Sequence, residues 1–143
     1  MTKEFIKKLP KTDLHVHLDG SVRIETIIDL AKKYNIKLPT MDPVELRKLL
    51  VCGERTTSLD DYLRAFPIVN LVLQNEEGLR RAAYELAEDA AAENVRYMEV
   101  RYSPILHTDQ GLKLTEISQA VIDGLQQGEK DFGIKTGVII CGI

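Results

Sequence analysis

The 143-residue chain has the length of one ordinary domain, and a chain of that size buries most of the surface its unfolded form exposes. Hydrophobic residues make up 44% and charged residues 29%, the balance of a soluble globular protein and not of a disordered tail or a membrane segment. A net charge of −3, from 19 basic and 22 acidic side chains, offers no field to gather nucleic acid, so a small-molecule partner is expected.

Cys52 and Cys141 lie far apart and form no Cys-x-x-Cys, so they read as small buried hydrophobes in a reducing compartment. The amino terminus, Met1-Thr2-Lys3-Glu4-Phe5-Ile6-Lys7-Lys8, lacks the apolar run of a signal peptide. No later stretch approaches the roughly 20 apolar residues that span a bilayer. A cytoplasmic protein with no membrane association is expected.

Along the chain, Leu14, Val16 and Leu18 alternate with Asp13, His15 and His17, which predicts a two-faced strand over 12–18. Ile24, Ile27, Ile28, Ala31 and Tyr34 then recur at helical spacing. Asp42-Pro43-Val44-Glu45 reads as an N-cap, a proline at the first helical position and a reciprocal acid, opening a helix to about Leu50 inside an apparent insertion over 39–57. Ser58 is expected to cap a helix carrying Leu59, Tyr62, Leu63 and Phe66, which Pro67 should kink or break before Ile68. The Ala-, Leu-, Glu- and Arg-rich stretch from Asn75 to Glu93 is a further helix, with its stripe at Leu79, Ala82, Ala83, Leu86 and Ala90.

A second strand follows from Val95, stopped by Pro104. Thr115 is placed to cap a helix through Ile117, Val121, Leu125 and Phe132, with Gly133 at C′. Ile134 to Cys141 reads as a third, buried strand. Strands separated by helical crossovers must pair in parallel, so the expected class is α/β. The sequence stops at Gly142-Ile143, directly after an apolar strand with no helix to cover it, so part of a longer domain is expected.

On a strand, side chains two residues apart point the same way, which presents the imidazoles of His15 and His17 together, their backbones ~7 Å apart. Zinc accepts neutral imidazole nitrogen, and a catalytic site adds one or two further protein ligands while leaving a position for water. A chance His-x-His on an exposed strand is the plain alternative. The company of Asp19-Gly20-Ser21 at a strand-to-helix junction weighs against chance, because sites in parallel α/β folds gather there.

Leu9-Pro10-Lys11-Thr12-Asp13-Leu14-His15-Val16-His17-Leu18-Asp19-Gly20 resembles the opening signature of adenosine deaminases of the amidohydrolase group. Glu99-Val100-Arg101-Tyr102-Ser103-Pro104 resembles their second-strand signature, and the likeness continues through Val121-Ile122-Asp123-Gly124-Leu125 and Phe132-Gly133-Ile134-Lys135. The resemblance implies a TIM (β/α)8 barrel with one Zn2+ at the carboxyl ends of the strands. Such barrels take about 250 residues, so residues 1–143 are expected to form the N-terminal part of a single barrel domain and supply about three of its eight strands.

By the same resemblance His15 and His17 are metal ligands, His17 and Asp19 bind substrate, and Asp19 contacts a ribose hydroxyl. Asp19 also reads as an acid near a helix N-terminus, where it would stabilise the helix without touching substrate. Leu59, Tyr62, Leu63 and Phe66 resemble an apolar gate over the pocket mouth, although core packing produces the same stripe. Glu99, Arg101 and Ser103 read as internal pairing groups, Arg101 as a clamp, and His107 as a solvated loop residue in preference to a third metal ligand.

The implied reaction is hydrolysis of adenosine to inosine and ammonia in purine metabolism, with the general acid and base expected beyond Ile143 and none within this chain. Alone, the chain is expected to be inactive, and its open edges favour self-association. The rival readings are an adenine or modified-adenine nucleotide deaminase of the same group, a metal-dependent phosphoesterase beginning Asp-x-His-x-His, and a non-catalytic partial barrel used for binding. The zinc deaminases marked by His-x-Glu and Pro-Cys-x-x-Cys are excluded, since neither pattern occurs.

Overall fold

The computed structural model describes residues 2–51, 58–59 and 63–142. Its centre is a parallel three-stranded sheet of order β1-β2-β3, formed by β1 (Lys11–His17), β2 (Val95–Tyr102) and β3 (Lys135–Ile140). Each strand returns in the same direction because helices carry the chain back between them.

The first crossover contains α2 (Ile24–Lys33), α3 (Pro43–Leu50), the short α4 (Phe66–Asn70) and α5 (Glu76–Ala92). The second is a 3-10 turn, Pro104–His107, followed by α6 (Leu114–Phe132). A six-residue helix, α1 (Lys3–Lys8), precedes β1 with none of its residues buried. Thr2 caps its start, and the Lys11 ammonium closes its end by donating to the carbonyls of Ile6, Lys7 and Leu9 at 2.9–3.2 Å. Lysine at a helix C-terminus meets the negative end of the helix dipole.

Alternation along β2 sorts the two sides of the sheet. Met98, Val100 and Tyr102 are buried and turn toward the helices, whereas Glu99 and Arg101 face the other way. The core between sheet and helices joins Met98 and Val100 to Leu79, Ala83, Ile117, Val121, Leu125 and Ile134. Two glycines let α5 and α6 approach closely. A Cβ at Gly124 would lie 2.2 Å from the Arg80 carbonyl oxygen, and one at Gly128 would lie 2.5 Å from the Ala87 Cβ.

Several boundaries agree closely with the sequence. Asp42 caps α3 through the Val44 and Glu45 amides, Asn75 caps α5 through the Gly78 amide, and Gly133 ends α6 in the left-handed region at φ 71°.

Others differ for identifiable reasons. Glu45 does not turn back to its own cap but pairs forward with Lys48 at 2.7 Å. The expected break falls at the turn over 64–65, and Pro67 itself sits in the first turn of α4, where no amide is needed. Thr115 is inside α6, which begins one residue earlier, and the Glu116 carboxylate accepts the Lys113 amide at 2.8 Å. β3 is only half-buried: Ile140 is 54% exposed and Cys141 is partly exposed, since β3 has a neighbour on one edge alone. Cys52 and most of the helix expected after Ser58 lie outside the described residues.

Candidate active site

The site is built at the carboxyl end of β1. The register of β1 on β2 shifts between Asp13 and Val16, where three steps along β1 match two along β2, so strict alternation fails and Leu14 is left 55% exposed. The Leu14 carbonyl accepts instead from the Arg101 guanidinium at 2.8 Å. Arg101 is therefore a clamp, as expected, though it ties β2 to β1 and not to a later strand. Ser103 reaches forward, donating to the Cys141 carbonyl at 2.9 Å, and Glu99 accepts from the Tyr97 hydroxyl at 3.0 Å.

Beyond the shift, the His15 and His17 rings lie side by side with centroids 5.3 Å apart and planes tilted by 32°. The His15 amide donates to the Asp13 carboxylate at 3.1 Å, and the Ser21 hydroxyl donates to the His17 carbonyl at 2.6 Å. Phe66, from α4, sets its ring edge-on to His17 at 6.5 Å and 69°. Gly20 lies at this junction, where a Cβ would make ordinary contacts, 3.4 Å from the His17 Cβ and 4.0 Å from the Phe66 ring.

Two adjacent imidazoles on one strand fit two positions of a tetrahedral zinc ion. Among the described residues no cluster of three or more His, Cys, Asp or Glu side chains is arranged to hold a metal.

Asp19 is 5% exposed, with Oδ1 3.9 Å from His17 Nδ1 and without a hydrogen-bond partner. Burial pushes its carboxyl above the ordinary value, while His17 and the Asp19 and Gly20 backbone pull the other way. It lies outside the first turn of α2, which starts at Ile24 and carries Glu25 as its acid. Asp19 instead lines a cleft of about 530 Å³ together with Gly20, Arg23, Arg47, Phe66 and Val69.

Of the four residues expected as a gate, Phe66 lines this cleft. Leu59 and Leu63 are 69% and 48% exposed and are not among its lining residues, and Tyr62 lies outside the described residues. Arg47, from α3, is a cleft residue that no sequence motif marks. Periodicity locates α3 but carries no signal for how α3 docks on α2.

His107 requires a correction. It is wholly buried in the 3-10 turn, its ring 6.1 Å from Tyr102. Burial lowers its pKa to about 4, with Asp109 and the Leu73 backbone acting in the opposite direction. The turn is held from below by buried Gln74, which donates to the Asn70 and Leu106 carbonyls and accepts from the Asp109 amide. A polar sequence context therefore concealed a packed residue.

Comparison with known proteins agrees with this geometry. Residues 10–143 match the adenosine deaminase family. Adenosine deaminase of Clostridium botulinum is 48% identical over 134 residues, covering 94% of this chain and 40% of its own length. Among solved structures, a Burkholderia ambifaria amidohydrolase with bound Zn superposes with TM-score 0.80 at 28% identity, covering 98% of this chain and 38% of that one. An adenine deaminase from Arthrobacter aurescens gives TM-score 0.82 at 33% identity, over 92% and 39%. The chain thus spans about two-fifths of the length of these relatives. The histidine pair and the second-strand motif both fall inside the matched stretch, and the parallel sheet has the form of three strands of a (β/α)8 barrel: the chain belongs to the adenosine deaminase family.

Proposed function

We propose that the full-length protein deaminates adenosine to inosine and ammonia with one zinc ion, in purine salvage, and that residues 1–143 are the N-terminal part of its single barrel domain. The observation that supports this reading best is the paired His15 and His17 rings at the strand end, 5.3 Å apart, inside the stretch that matches the family.

When bound, zinc lowers the pKa of its water and so supplies a nucleophile near neutral pH. His15 and His17 would hold the ion through their imidazole nitrogens. Asp19, buried with a free acceptor oxygen, receives a ribose hydroxyl and orients the nucleoside in the cleft. Phe66 and Val69 line the apolar side of that cleft, whose size suits a small molecule. The group that protonates the purine ring comes from strands after residue 143, so the 143-residue chain by itself turns nothing over. Loss of absorbance as adenosine becomes inosine, followed for the zinc-loaded full-length protein and for the isolated chain, tests both statements.

A second reading is deamination of free adenine, favoured by the similarity to the Arthrobacter aurescens adenine deaminase. Asp19 argues for the ribose-bearing substrate, because free adenine leaves a buried carboxylate oxygen without a donor. Competition between adenosine and adenine for the same preparation separates them.

A further inference from the structure

The two imidazoles are held to different degrees. His15 is exposed, and its amide donates to the Asp13 carboxylate. His17 has its carbonyl tied by the Ser21 hydroxyl at 2.6 Å and its ring in a T-shaped contact with Phe66. Among the described residues, Phe66 both lines the cleft beside Asp19 and makes a T-shaped ring contact with His17. Gly20 sits beside both residues, 3.4 Å from the His17 Cβ and 4.0 Å from the Phe66 ring as measured from the place of a Cβ. An aromatic edge carries partial positive charge and prefers the electron-rich face of another ring, so this contact selects one ring orientation and not merely a distance.

We infer that Phe66 is a positioning residue for His17: it fixes the orientation of that imidazole toward the metal, and it links occupancy of the cleft to the geometry of the ligand. The inference rests on the reading of His17 as a metal ligand. It assigns Phe66 a task different from closing the pocket mouth. A gate acts on substrate entry and retention, whereas a positioning residue acts on metal affinity in the absence of substrate. Hydrogen-bonding groups that orient a ligating histidine typically alter metal affinity by about 10- to 100-fold when removed, and a ring contact is expected to act at the low end of that range.

The test uses the full-length protein, with zinc titrated against a chromophoric chelator and no substrate present. Phe66→Leu, which keeps an apolar side chain but removes the ring edge, is expected to weaken zinc binding by about tenfold. Phe66→Tyr, which keeps the edge, is expected to retain the parent affinity. With cobalt in place of zinc, the visible absorption bands shift in Phe66→Leu and not in Phe66→Tyr. If Phe66→Leu does not fold, Phe66→Met takes the same measurement with the same expectation. Zinc affinity within twofold of the parent in the ring-less variant, with KM for adenosine raised, overturns the inference and leaves Phe66 as a gate alone. Failure of the deaminase reading looks different: adenosine is untouched by the parent protein, while the zinc affinities of the variants still separate.

Discussion

The rings of His15 and His17 stand side by side, 5.3 Å apart and 32° from parallel, at the point where β1 gives way to the turn before α2. On the proposed reading each imidazole would supply one metal bond, and among the described residues no group of three or more His, Cys, Asp or Glu side chains is arranged to hold a metal without them. His15→Ala and His17→Ala are therefore each expected to lower zinc affinity of the full-length protein by at least about 100-fold, with deamination falling in proportion. Isothermal titration of the metal-free protein with zinc measures this. Equal affinity in parent and His17→Ala would remove the pair from the site.

Asp19 is predicted to trade stability for binding. Its carboxyl is buried, raised in pKa by that burial, and carries one oxygen with no donor. Asp19→Asn removes the ionisable group at nearly constant volume, so the folded protein gains about 1 kcal/mol in a denaturant titration at neutral pH. KM for adenosine rises about tenfold at the same time, because the charged acceptor for the ribose hydroxyl is gone. A variant less stable than the parent would show that the carboxylate has a structural partner.

The pairing of α5 with α6 depends on two absent side chains. Gly124→Ala places a Cβ 2.2 Å from the Arg80 carbonyl oxygen and 2.9 Å from the Ala83 Cβ, and both obstacles are fixed parts of the opposite helix. The helices must separate, which costs about 2 to 3 kcal/mol and outweighs the helix propensity gained by alanine. Gly111→Ala is the control: nothing lies within 4 Å, and only its φ of 90° opposes the change, at about 1 kcal/mol. Denaturant midpoints of the two variants should rank in that order.

Acid sensitivity is expected from His107. In the unfolded chain the imidazole has its ordinary pKa of 6.5, whereas the buried ring takes a proton only near pH 4. Between those values the unfolded chain binds more protons, so the contribution is complete above pH 6.5 and is lost as pH falls toward 4. The loss is on the order of 3 kcal/mol. His107→Leu should flatten this part of the stability profile. Denaturant titrations at pH 7.5 and 4.5 give the difference, and parallel profiles for parent and variant would contradict the assignment.

What the sequence disclosed and what it hid divide along physical lines. Caps and periodic stripes act within a few residues, so Asp42, Asn75 and Gly133 marked helix ends that the structure repeats. The histidine pair was legible because spacing two on a strand is itself local geometry. Packing between distant segments is not local. His107 looked solvated because its neighbours in sequence are polar, while the residues that bury it include Tyr102 and the segment at Leu73 and Gln74. Arg47 reaches the cleft only through the docking of α3, and the exposure of Leu14 follows from a register shift that no alternation pattern encodes. The short α1 escaped notice because no apolar stripe announces it, and its end is closed by one lysine across a turn.

The most direct measurement is turnover of adenosine by the zinc-loaded full-length protein, read from ammonia release, beside the same protein carrying His17→Ala. Stoichiometric inosine and ammonia from the parent, abolished by chelation and in His17→Ala, is the expected result. A fully metal-loaded parent that leaves adenosine intact, or a His17→Ala variant that releases ammonia at the parent rate, would contradict it.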